Sequence, residues 1–255
     1  MSLNIIEAGD KKNRHAPASA DYLQISEFFA DTIQGEGIHA GHPAAFLRLQ
    51  GCTLDCQWCD TSAIWKKGSP WTFQELFALM EETDFDGNSL ISKFAMGQHL
   101  VLTGGSPLLQ QERLIRFISE FIALYGFKPF IEIENECTLD PLIGMVMHVD
   151  TWNNSPKLIS SGNPVLIPNI VHNLSNLENS WFKFVVTSEA DWVEIKARYL
   201  VTNLIDRSQV ILMPQGATFK ELAKNRETVI AIAIKNNVKY STREHVVIWG
   251  DKAGV

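Results

Sequence analysis

The chain has 255 residues, 45% of them hydrophobic and 20% charged, with a formal net charge of -7 and a pI near 5.5. That length and balance describe one globular domain with enough apolar surface to make its own core. The acidic balance argues against a protein that holds nucleic acid through non-specific phosphate contacts, yet leaves room for a small anionic substrate gripped by a few basic residues.

The first twenty residues are polar and interrupted by Gly9 and Pro17, and they have no apolar signal-like core. They predict a flexible leader ahead of a single domain over 21–255. No window approaches the roughly 20 apolar residues of a membrane span, so a membrane partner is not expected. The run "AAFLRLQG" over 44–51 predicts a buried strand that delivers Cys52 into a loop. At 72–82, Thr72 followed by Glu75 is a capping-box signature for a helix. A strand is expected to enter the Gly104–Gly105 turn from 99, and a helix over 111–126 to end at Gly126. Further strands are expected over 129–136, 145–150, 181–186, 209–214 and 245–250, with helices over 190–200 and 218–237. This alternation predicts an α/β domain, a parallel sheet covered by helices, open or closed into part of a barrel. Ligands of such sheets sit at the carboxyl ends of the strands. The Cys loop, the Gly104–Gly105 turn and the loops at Ser155 and Pro214 are therefore expected on one rim.

Three of the four cysteines, Cys52, Cys56 and Cys59, fall within "GCTLDCQWCDT". Clustered thiols point to a reducing compartment, the cytoplasm. Four uses of the set are open. A zinc site would need a fourth ligand, from His39, His42 or a remote residue. A closed iron–sulfur cluster would need Cys137. A set of buried structural thiols fits poorly with Asp55, Gln57 and Asp60 in the same loop. The fourth use is a [4Fe–4S] cluster held by three thiolates, with one iron left open.

The spacing C-x3-C-x2-C resembles that of the radical S-adenosylmethionine (SAM) superfamily, whose fold is a partial, open β/α barrel with helices outside. "TGGSP" is similar to the GGEP motif of that superfamily, where backbone and Glu hold the methionyl ammonium of SAM; Ser106 stands where the Glu is usual. QGEG (34–37), the run from Gly41 to Leu49 and "CDT" after the third cysteine narrow the resemblance to 7-carboxy-7-deazaguanine synthase. "SPKLISSG", "FKFVV", "LMPQG" and the ending "REHVVIWGDKAGV" extend it from about Phe28 to the end.

The resemblance implies a lyase of queuosine and 7-deazaguanine biosynthesis. It would convert 6-carboxy-5,6,7,8-tetrahydropterin to 7-carboxy-7-deazaguanine with loss of ammonia, through a deoxyadenosyl radical and with SAM regenerated. It places the pterin on Ile33, Gln34, Gly35, Glu36, Arg48 and Thr103, with Arg48 facing the substrate carboxylate. It places SAM on Trp58, Cys59, Asp60, Gly105 and Ser106, then on Glu134, Asn135, Ser155, Pro156, Lys157 and Gln215. Thr61 would ligate Mg2+, a cation that takes few protein oxygens. An electron donor such as flavodoxin or ferredoxin and a homodimer are implied too. A glycyl-radical activating enzyme shares the cysteine spacing but has no use for QGEG or CDT. A non-catalytic zinc- or cluster-binding module is the rival of another class, and Ser106 is the feature that favours it. Outside the site, His245 reads as a core-edge histidine, Cys137 as a small buried residue, and Trp152, Trp181 and Trp249 as core.

Overall fold

The computed structural model describes residues 3–7, 16–17, 21–250, 252 and 254. Strands β1 (Leu3–Ile6), β2 (Tyr22–Ile33), β3 (Pro43–Leu49) and β4 (Ser69–Thr72) open the chain, with the single turn α1 (Ser62–Trp65) after the Cys loop. Helices α2 (Phe73–Glu81) and α3 (Leu90–Ala95) lead to β5 (His99–Gly104). Then come α4 (Gln111–Tyr125), β6 (Phe130–Asn135), α5 (Ile143–His148), β7 (Thr151–Asn154), α6 (Pro168–Ser175) and β8 (Ser180–Val186). The chain continues through α7 (Glu189–Ile195), β9 (Val210–Pro214), α8 (Phe219–Asn236), β10 (Lys239–Tyr240) and α9 (Glu244–Trp249).

Among the described residues the strands lie in the order β1-β2-β3-β5-β6-β7-β8-β9-β10, with β4 paired to β2. β1, β3 and β4 pair antiparallel with β2, and every pair from β3 to β10 is parallel. β10 is not paired back to β1, so the barrel is open. The β1 pairing makes part of the segment expected as a flexible leader a sheet edge; residues 1–2, 8–15 and 18–20 of it lie outside the described residues. No helix of the described residues is long and apolar enough to cross a membrane.

Local signals act where they were expected. Thr72 Oγ1 accepts from Glu75 N at 3.2 Å and Glu75 Oε2 accepts from Thr72 N at 2.9 Å, which starts α2. Gly126, at φ 76°, ends α4. The helix expected over 190–200 is α7, continued by a wider π-type turn over 196–200.

Two expected strands are helices. Residues 145–148 of the first run lie in α5, Val149 and Asp150 follow it, and the strand comes next as β7, "TWNN". A short apolar run does not separate strand from helix by periodicity. The polar strand is held by side-chain ladders, Asn135 Nδ2 to Asn154 Oδ1 at 3.0 Å and Asn154 Nδ2 to Ser180 Oγ at 2.8 Å. The run at 245–250 is α9, closed by Gly250; its β-branched residues suggest a strand that the fold does not use.

The two faces of the sheet differ in chemistry. Side chains on one face, among them Leu47, Leu102, Ile133, Trp152, Phe182, Phe184 and Leu212, are buried in the core beneath the helices. Burying each such side chain contributes roughly 1.5–3 kcal/mol, so stability resides mainly on this face. The registers put Arg48, Thr103, Glu132, Glu134, Asn153 and Lys183 on the other, concave face. Cys137 and Trp152 are buried, whereas Trp181 and Trp249 are half-buried.

Candidate active site

At the carboxyl ends of β3, β5, β6, β8 and β9 the concave face opens into a cavity of about 420 Å³. Its size and position are those of a small-molecule site in an open parallel sheet. The Cys loop forms one wall, with Cys52, Cys56 and Cys59 all half-buried. Gly105 packs so closely on the start of this loop that a Cβ there would lie 2.3 Å from Cys52 Cβ. Only a glycine permits that approach. Ser106 N donates to Gly51 O at 2.9 Å, while Gln57 N and Trp58 Nε1 donate to Ser161 O and Ser160 O, both at 3.0 Å. The loop is thus pinned between the Gly104–Gly105 turn and the 155–162 loop.

Leu54 N lies 3.3 Å from Cys52 Sγ and Trp65 Nε1 lies 3.5 Å from Cys59 Sγ, N–H···S contacts of the kind that tune a thiolate-bound metal. Burial pushes the Cys52 and Cys56 thiols above their ordinary range, so deprotonation is coupled to metal binding. Among the described residues, the set of three His, Cys, Asp or Glu donors that converges within 4.8 Å is His39, His99 and Glu132. The three cysteine sulfurs therefore do not all lie within 4.8 Å of one another. A single tetrahedral zinc would draw its sulfurs to about 3.8 Å from one another, given Zn–S bonds of about 2.3 Å. Spread thiolates suit a cluster in which each sulfur takes a different iron. His39 and His42 do not complete a zinc site with the cysteines: both pack on His99, His42 stacked at 3.7 Å. Cys137 does not line the cavity, which removes the fourth thiolate of a closed cluster.

The same cavity is lined by a lattice of charges around the buried Lys183, reaching Asp60 of the Cys loop itself. Lys183 Nζ donates to Glu36 Oε2 at 2.6 Å and to Glu134 Oε2 at 2.8 Å. Arg243 donates to Glu36 Oε1 at 2.8 Å and to Asp60 Oδ2 at 2.7 Å. Burial by itself would raise the Glu36 carboxyl, but Lys183 and then Arg243 hold it well below the carboxylate range. Burial and the Glu36 charge push Glu134 the other way, with Lys183 opposing. Burial lowers the His245 imidazole, keeping it neutral near pH 7. His245 Nδ1 lies where a Cβ on Gly35 would come within 2.0 Å, so His245 is a cavity wall seated on QGEG rather than a core-edge residue.

The cavity brings together Ile33, Gln34, Gly35, Glu36, Arg48 and Thr103 with Trp58, Cys59, Asp60, Thr61, Gly105, Glu134, Asn135, Ser155, Lys157 and Gln215. Ser106 and Pro156 are not on its surface; Ser106 is buried behind Cys52. Arg48 uses Nε in its 2.6 Å pair with Glu27 Oε1. Thr61 sits at the N-cap of α1 without a side-chain cap bond, so its hydroxyl is not spent on the helix. Gln34 is turned inward: its Nε2 lies 3.3 Å from both Glu132 Oε2 and Glu134 Oε1, and its Oε1 accepts from Glu36 N.

Lys183, Arg243 and Glu27 are cavity residues that the sequence reading did not single out. A lysine inside the apolar strand "WFKFVV" is the signal that could have found the first of them.

Beneath the cavity, Glu132 accepts from Asn153 Nδ2 at 2.8 Å and pairs with His99 Nδ1 at 2.6 Å. Burial would raise its pKa, but the neighbouring His39 and the hydrogen bonds of His99 and Asn153 lower it from 4.5 to about 2. A lowered acid stabilises the fold above its unfolded pKa, and that contribution is lost as pH falls toward the folded value. It amounts to roughly 3 kcal/mol at pH 7. Glu132→Gln is expected to lose about that much in urea denaturation at pH 7, with the gap to the wild type closing as pH is lowered from 5 to about 2.

A family model described as a 4Fe-4S single cluster domain matches residues 33–134, which contain all three loop cysteines. The chain is 32% identical over 234 residues to the 7-carboxy-7-deazaguanine synthase of Pyrobaculum aerophilum, covering 91% of this chain and 97% of that one. It is 31% identical to the synthase of Hyperthermus butylicus (92% and 96% covered) and 29% to that of Halobacterium salinarum (90% and 91%). QueE from Escherichia coli has a similar fold, with a TM-score of 0.62 at 22% identity, covering 90% of this chain and all of that one. With near-complete coverage by relatives above 30% identity and a cysteine loop suited to an iron–sulfur cluster, the chain belongs to the 7-carboxy-7-deazaguanine synthase family.

Proposed function

We propose that this protein is a radical SAM lyase that converts 6-carboxy-5,6,7,8-tetrahydropterin to 7-carboxy-7-deazaguanine with release of ammonia, in 7-deazapurine and queuosine biosynthesis. The observation that carries it is a single cavity lined both by the three loop cysteines and by the QGEG charge lattice. Hydrogen-atom abstraction is the chemistry that a [4Fe–4S] cluster on Cys52, Cys56 and Cys59 and a bound SAM supply there.

The chain's own residues bind, orient and exclude water. Glu36, ionised between Lys183 and Arg243, still has lone pairs free to accept from the N–H edge of a pterin. Arg48 keeps its terminal nitrogens for the substrate carboxylate while Glu27 fixes its Nε. His245, neutral, closes the cavity over Gly35. Lys157, held at 2.9 Å by Ser155 Oγ, supplies a positive charge near the Cys loop for the SAM carboxylate. Thr61, on the cavity lining, would offer its hydroxyl to a bound Mg2+. A flavodoxin or ferredoxin donor, a homodimer and a cytoplasmic location complete the proposal, and the net charge of -7 fits a partner set without nucleic acid.

The test is an anaerobic assay of reconstituted protein with SAM, reductant and the pterin, run with and without Mg2+ and read by mass spectrometry. Formation of 7-carboxy-7-deazaguanine is expected, faster with Mg2+. SAM cleavage without that product would remove the substrate assignment and reopen a glycyl-radical activating role. Zinc bound in place of iron would leave a non-catalytic module.

A further inference from the structure

Glu136 follows directly on β6 and lines the cavity, at the wall that includes Cys52 and Gly105. Only 5% of it is exposed. Its Oε1 accepts from Thr53 Oγ1 at 3.0 Å and from Thr138 Oγ1 at 2.5 Å. Its Oε2 is buried and has no hydrogen-bond partner. An unpaired buried carboxylate oxygen costs at least about 1–3 kcal/mol, so the position calls for a donor from outside the chain, and a cation above all. Among the described residues none supplies one; Lys157 is engaged with Ser155.

The same carboxylate bears on the departure at Ser106. Ser106 Oγ accepts from Thr53 N at 2.9 Å and lies 3.1 Å from Thr53 Oγ1, the hydroxyl that donates to Glu136. The negative charge absent from the turn after β5 is therefore present two hydrogen bonds away, on the neighbouring strand end. Local backbone geometry brings it there. Cys137 adopts φ 67°, in the left-handed region, with its N–H on Asn135 Oδ1 at 3.2 Å, and this turn sets Thr138 against Glu136.

We infer that Glu136 forms a binding subsite for the α-ammonium of SAM, replacing the carboxylate that Ser106 lacks, with Thr53 and Ser106 as its positioning residues. The inference rests on the proposal above that SAM binds at the Cys loop. An ammonium is the right class of ligand: it is cationic, donates three hydrogen bonds and leaves Lys157 for the carboxylate of the same amino acid.

The experiment measures equilibrium binding of SAM, and of an analogue lacking the α-amine, to cluster-loaded protein, with the perturbation of the cluster's EPR signal as a second readout. Wild type, Glu136→Gln and the double variant Ser106→Glu/Glu136→Gln are compared at equal iron content. Glu136→Gln is expected to weaken SAM by about 10- to 100-fold, the value of a charge-assisted hydrogen bond, and to leave the deaminated analogue unchanged. The double variant is expected to recover most of the SAM affinity. Unchanged SAM binding in Glu136→Gln, or equal weakening of SAM and analogue, would overturn the assignment. Should Glu136→Gln fail to load iron, the wild type alone decides: it must prefer SAM over the analogue by a similar factor, and equal affinity overturns the subsite. Wild type that holds its cluster yet binds no SAM would instead bring down the SAM proposal itself.

Discussion

Cys56→Ala is expected to abolish product formation and SAM cleavage together, with iron content falling on reconstitution. The chain offers three thiolates on one loop and none in reserve, since Cys137 is buried off the cavity. Cys56 is half-buried, so its loss should change the stability of the metal-free protein by no more than about 1 kcal/mol. Cys137→Ala is the matched control and should keep its iron and its turnover. Iron analysis with an anaerobic SAM-cleavage assay checks both. Retained iron and turnover in Cys56→Ala would mean that the ligand set is wrong.

Lys183→Met is expected to be the most destabilising single substitution in the cavity. Lys183 is 3% exposed and lies between two carboxylates, with burial lowering its pKa but Glu134 and Glu36 raising it further. Removing one partner of a buried ion pair costs about 3–5 kcal/mol, because the remaining charge stays desolvated. Glu36 keeps Arg243, whereas Glu134 is left facing Gln34 and the Glu36 charge. The variant should therefore lose stability with rising pH more steeply than the wild type. Glu134, already raised, moves higher still without its cation, and an acid with a raised folded pKa loses stability as pH climbs through that value. Urea denaturation from pH 5 to 8 measures this. A variant within 1 kcal/mol of wild type and flat in pH would show that the lattice does not depend on Lys183.

The legible parts of this protein are local. The three cysteines, the Gly104–Gly105 turn, the Thr72–Glu75 capping box and the Gly126 stop each act over a few residues, and each appears in the structure where the chain places it. The strands β3, β5, β6, β8 and β9 follow from apolar runs that bury one face, whereas β1, β2, β4, β7 and β10 are not among the expected strands. The errors at 145–150 and 245–250 come from apolar, β-branched runs too short for periodicity to decide, and the true strand between them, "TWNN", is held by tertiary hydrogen bonds that composition does not announce.

The sequence by itself determined that three thiols gather on one loop, because spacing is a local property of the chain, and its motifs carried the resemblance from which the class of chemistry followed. The tertiary structure alone decided how the cavity is charged. Glu36 meets Lys183 across 147 positions and Arg243 across 207, and Gln34 reaches Glu132 across 98. Such pairs exist only once the parallel sheet brings inward-facing strand residues such as Lys183 and Glu132 against loops distant in sequence. The same holds for Ser106 and Glu136: Ser106 reads as a missing charge, and nothing in the sequence singles out Glu136 until β5 and β6 lie side by side.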